Sequence, residues 1–132
     1  MNTVEEIGKI VDWYFTQYAG APIEQYMDAK SKLRGLLFRF AGEVADAKAE
    51  HVQAVVCRKT DFHGHKVRLV DEGHTLGQAE SKAELAIKAQ RQREAQAESL
   101  FFKQKQLYDA ADEIANDIAQ RISILKKERE NA

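Results

Sequence analysis

This chain of 132 residues has one cysteine, one proline and no long apolar run, and each scarcity removes a class of structure. A single Cys57 excludes an internal disulfide, so the chain reads as a protein of a reducing compartment. Without a run of about 20 apolar residues there is no helix to span a membrane, and the N-terminal residues lack the apolar stretch of a secretion signal. Asn2 stands where N-terminal myristoylation needs glycine. A cytoplasmic location is the expectation. Large apolar side chains are scarce too, because 19 of the residues that make up the 44% hydrophobic share are alanine. Helices of this composition pack along a thin stripe and often complete their burial against another subunit. With 20 basic and 21 acidic residues the net charge is −1. Attraction to nucleic acid must therefore come from a local patch.

The apolar spacing is helical throughout. Thr3 and Glu6 are placed as a capping box that opens a helix over 3–19. Val4, Ile7, Val11, Tyr14 and Tyr18 form its stripe, widened by Ile10 and Phe15, and Gly20 to Pro22 stop it. A second helix is expected over 23–59, with a stripe through Tyr26, Leu33, Leu37, Phe40, Val44, Ala47, His51 and Val55. Gly64, Gly73 and Gly77 then suggest a connecting loop over 60–78, within which residues 67–71 alternate in a way compatible with a short strand. The last helix is expected over 79–130. Ser81 and Glu84 are a second capping-box candidate, and Phe101, Gln104, Tyr108, Ala111, Ala115, Ile118, Ile122 and Leu125 form its stripe. Between Lys88 and Gln96 large apolar residues are almost absent, so that stretch is solvated or lines something polar. The implied fold class is all-α: a single domain built as a long antiparallel helical hairpin with a short N-terminal helix, coiled-coil-like packing and an oligomeric state. On these lengths the second helix is too short for the third, and the first helix would cover the remainder, in its own subunit or a neighbour's.

Residues 58–68, RKTDFHGHKVR, hold Arg58, Lys59, Lys66 and Arg68 against the one acid Asp61, with Phe62, His63 and His65 around Gly64. A single strand needs cations for its phosphates and a flat face for its bases. The four cations meet the first need, Phe62 the second, and the histidines add donors. A wet loop between helices is polar for no functional reason at all, and that is the competing explanation. Lys82, Lys88, Arg91 and Arg93 form a second basic set interleaved with glutamates. Lys88 and Arg91 extend the path if the hairpin brings them near. Cys57, His63, His65 and His74 match no zinc spacing, so no metal or other cofactor is expected. His51 reads as a core or interface histidine with Gln104 as a candidate partner. Trp13, Tyr14, Tyr18, Tyr108, Ile118, Ile122 and Leu125 are candidates for an oligomer interface. No catalytic motif is visible, so an enzyme is not expected.

Ala54, Arg58, Asp61, Phe62 and Gly64, the Ser81–Glu84 pair, and Ile114, Ile118, Arg121 and Ile122 together form a pattern. Over residues 26–128 it resembles the UvsY-like recombination mediators of bacteriophages. The resemblance implies a non-enzymatic protein that binds single-stranded DNA as a ring-like homo-oligomer. Such a protein helps load a recombinase onto strands coated by a single-strand-binding protein. It also implies DNA contacts at Arg58 and Lys59. The chain departs from the family in its N-terminal aromatic helix and its two loop histidines. From another class, the alternative is a helical scaffold, or a phage inhibitor or sponge, that acts through apolar faces at Trp13, Phe15, Phe38 and Phe40.

Overall fold

A computed structural model describes residues 1–17 and 20–131 of the chain. Four helices follow one another: α1 (Thr3–Gln17), α2 (Ile23–Asp71), α3 (Leu76–Ala86) and α4 (Lys88–Glu130). No strand occurs among the described residues. The all-α helical hairpin with a short N-terminal helix is thus the observed architecture.

Its boundaries differ from the expected ones in three places. The cap of α1 is Asn2 rather than Thr3, since the Asn2 Oδ1 accepts from the Glu5 backbone N–H at 2.8 Å. The segment expected as a loop is helical through Asp71, which leaves no strand at 67–71. Gly64 costs about 1 kcal/mol inside a helix. Its neighbours Asp61, Lys66 and Leu69 all find partners or burial across the hairpin, and that outweighs one glycine. The chain turns instead at Gly73, whose φ is +99°. The Gly73 N–H donates to the Val70 carbonyl and the His74 N–H to the Leu69 carbonyl, a Schellman closure that needs a left-handed residue. Thr75 then caps α3. Its Oγ1 accepts from the Gln78 N–H, and the Gln78 side chain accepts from the Thr75 N–H. Ser81 and Glu84 lie inside α3 and cap nothing. Finally, the last expected helix is two, divided at the fully buried Ile87 (φ −102°, ψ 18°). The bonds Ile87 N–H to Ala83 and Arg91 N–H to Ile87 persist across this point, so it is an irregular turn and not a loop.

The chain divides into two compact units, one of residues 1–44 and 104–132, the other of residues 45–103. In the first, α1 packs on the N-terminal part of α2 and the C-terminal part of α4 of its own chain. Ile7, Tyr26, Leu33, Leu37, Phe40 and Ile118 are the most deeply buried large side chains there. Burying each is worth about 1.5–3 kcal/mol. Trp13 meets Tyr26 edge-on at 5.4 Å, and Phe40 stacks on Tyr108 at 6.4 Å. Exposed ion pairs Arg34–Asp112 and Glu24–Arg129 span the antiparallel arms in the register that this core sets. In consequence the residues expected to join subunits serve this internal core. Ile118 and Ile122 are buried, and Trp13, Tyr14, Tyr108 and Leu125 pack partly buried against the same core. Tyr18 lies outside the described residues. The length argument is corrected as well: α2 has 49 residues against 11 and 43 in α3 and α4, so the arms match without α1.

The second unit is a two-helix hairpin with a thin interior. Ala54, Ala79, Ala83 and Ala97 are buried there, with only Leu69 and Ile87 as large buried side chains. His51 stacks on Phe101 at 6.3 Å, and the Oε1 of its expected partner Gln104, which belongs to the first unit, is buried without a hydrogen-bond partner.

Candidate nucleic-acid interface

All nine residues proposed for nucleic-acid contact lie in the second unit, on regular helix rather than on a loop. A helix places residues three and four apart on one face, so residues 58–68 are divided among several faces of α2. Arg58, Asp61 and His65 turn toward the partner arm. Lys59 and His63 turn away from it.

Arg58 is committed to structure. Its Nε and Nη2 donate to the two carboxylate oxygens of Glu94 at 2.5 and 3.3 Å. Each side chain keeps only 19% of its surface exposed. The guanidinium holds the Glu94 carboxyl below the usual carboxylate range, with lesser help from Arg91 and His51 and against the opposing effect of burial. Next to this pair the Gln90 amide donates to Asp61 at 2.9 Å. The polar run between Lys88 and Gln96 is therefore mostly solvated, with Gln90 and Glu94 as its members turned toward Arg58 and Asp61.

The remaining cations are exposed or partly so, and several are shared with acids. Lys66 pairs with Glu80 at 3.3 Å, Arg68 with Glu72 at 3.8 Å, and Arg91 with Glu84 at 2.7 Å. Arg68 also approaches His65 Nδ1, and Lys82 approaches His74 Nε2, each at 3.4 Å. Lys59, His63 and Lys88 are exposed and have no polar partner among the described residues. Phe62 is half-buried, which limits it as a stacking plate. The hairpin does bring the two basic sets together, because Arg58–Glu94, Asp61–Gln90 and Lys66–Glu80 tie 58–68 to 80–94. Those two segments hold eight Lys and Arg against four Asp and Glu, which leaves 12 against 17 for the other residues. Positive charge is thus gathered at one place on a chain that is otherwise acidic.

Comparison with known proteins finds no matching family model, no matching curated protein and no matching solved structure. Among the described residues there is no group of three or more His, Cys, Asp or Glu arranged to hold a metal ion. No helix among them is long and apolar enough to cross a membrane.

One feature escaped the sequence reading. Ala45, Ala49, Val52, Val56, Lys59, His63, Val67 and Val70 recur at three- and four-residue spacing on α2, and every one is exposed. They lie opposite Ala47, His51, Ala54, Arg58 and Asp61, the face turned into the hairpin. This second apolar frame was legible as a pattern. It was masked because the expected helix ended at Lys59.

Proposed function

We propose that this protein is a non-enzymatic single-stranded-DNA-binding protein of the recombination-mediator type. The observation that carries the reading is the excess of cations over acids across 58–68 and 80–94, on a chain whose other residues are net negative. Phosphates need cations that can be released from their present partners. Exposed ion pairs are worth about 0–1 kcal/mol and exchange readily for a phosphate. That makes Lys66, Arg68 and Arg91 available beside Lys88. Arg58, bound to Glu94 and largely covered, holds the two arms together and positions the patch rather than touching the strand. The resemblance to UvsY-like mediators adds the pathway: loading a recombinase onto strands coated by a single-strand-binding protein.

The test is anisotropy of a labelled single-stranded oligonucleotide, with a matched duplex beside it, at several salt concentrations. The expected slope of log affinity against log salt is about −0.7 for each phosphate contacted. Lys88→Ala with Arg91→Ala removes two cations that lie off the exposed apolar stripe of α2. This double variant is expected to weaken binding about tenfold or more and to reduce the slope while helicity stays unchanged. Unaltered affinity would remove the patch from the reading.

A second reading, a helical protein that holds a protein partner through apolar faces, is favoured by the exposed valines of α2 and by Leu85, which is 77% exposed. Binding of that kind tolerates salt, so the same titration separates the two.

A further inference from the structure

The second unit is apolar on the wrong side. Its interior contains two large buried apolar side chains, Leu69 and Ile87, between alanines and the polar groups of Arg58, Glu94, Asp61 and Gln90. Its solvent side shows Val52, Val56, Val67 and Val70 on one face of α2, each more than 40% exposed. Val56, for example, stands 55% open. A helix that turns valines to water and arginine inward has its more hydrophobic face unpartnered.

We infer that this face pairs with the same face of a second copy, antiparallel, about a two-fold axis level with residue 61. Three features of the stripe select that occupant. First, it is nearly palindromic. With the axis at 61, Val52 faces Val70 and Lys59 faces His63 of the other copy, while Val56 and Val67 are offset by one residue, about 1.5 Å; an isologous interface demands such self-complementarity. Second, the polar pair at the centre suits this direction alone. In a parallel pair Lys59 meets Lys59. In the antiparallel pair the Lys59 ammonium donates to a ring nitrogen of His63. Third, an ordinary apolar helix would bury Lys59 without an acceptor, whereas a second copy brings one. Slipping the register by a turn sets Lys59 against valine, so the central pair fixes alignment as a polar position does in a coiled coil. About that axis the overlapping stretch is residues 52–70, which extends about 28 Å at 1.5 Å per residue. A single helix face of that length lies at the lower end of stable interfaces, which sets the expected dissociation constant in the micromolar range.

This interface differs from the aromatic one expected at Trp13, Tyr108 and Ile118, which pack on or in the core of the first unit, and it does not rest on DNA binding. Sedimentation equilibrium of the full chain, without nucleic acid, from about 1 to about 100 μM tests it. The wild type is expected to pass from 15.0 kDa to twice that mass. Val56→Glu with Val67→Glu opposes like charges twice and is expected to weaken association more than about tenfold. Val56→Lys with Val67→Glu opposes unlike charges in the antiparallel pair and is expected to restore the dimer. Both positions are exposed, so circular dichroism should report unchanged helicity. A wild type that stays monomeric, a double-glutamate variant that still dimerises, or a lysine–glutamate variant as monomeric as the double glutamate would each overturn the assignment.

Discussion

At the scale of single residues, two glycines expected in the same loop take different roles. Gly64 was the natural turn residue by its setting among histidines and lysines, yet it sits inside a helix. Nothing lies within 4 Å of where its Cβ would be. Gly73 has the positive φ and closes the helix. Gly64→Ala is therefore expected to raise stability by about 0.5–1 kcal/mol. Gly73→Ala is expected to lower it by about 1–2 kcal/mol, since an L side chain resists the left-handed region. Urea denaturation of the two variants reads both signs, and a loop at 60–71 would remove the gain at Gly64. Arg58 illustrates a related reversal. Its charge marked it as a ligand for phosphate, but its bidentate contact with Glu94 makes it an internal brace. Arg58→Ala should lower the thermal midpoint more than Arg91→Ala does, because only the first leaves a half-buried carboxylate unpaired.

At the scale of elements, three carboxylates give the helices a pH response of known sign. Glu24 is lowered chiefly by the backbone N–H at the start of α2 and then by Arg129. Glu84 is lowered by Arg91, and Glu94 by Arg58. Each thus has a folded value below its unfolded one. Their contribution is present above the ordinary carboxylate value and lost as pH falls through the lowered folded values. The thermal midpoint should be level from neutral pH to about 5 and fall below about 4. Added salt should reduce the part that comes from the exposed Glu24 and Glu84 pairs. A midpoint that rises on acidification would contradict this assignment. The same scale explains why α2 is longer than its sequence suggested. The inward frame through Ala54, Arg58, Asp61, His65 and Leu69 keeps helical spacing without interruption, but its members are polar or small. An eye that follows large apolar residues loses it after Val55.

At the scale of the whole molecule, stability is concentrated in the first unit. Its core gathers Ile7, Tyr26, Leu33, Leu37, Phe40 and Ile118, while the second unit buries mainly alanine. Phe40→Ala is expected to cost about 3–5 kcal/mol, and Ala54→Gly only about 1 kcal/mol. Amide exchange should be slowest in the first unit at low protein concentration. If two copies pair through α2, protection over 52–70 should grow as concentration rises. The all-helical class, the stripes of α1, α2 and α4 and the clustering of basic residues in mid-chain were all legible in the sequence, because they depend on spacing and on charge counted along the chain. Where the chain turns was not, since Gly64 and Gly73 are alike until tertiary contacts decide which segment stays helical. Nor was the fate of the cations and aromatics. Whether an arginine is free or braced, and whether an isoleucine joins subunits or fills its own core, depends on what the other arm places opposite. Only the tertiary structure set Glu94 against Arg58, α1 against its own hairpin, and the valines of α2 toward water.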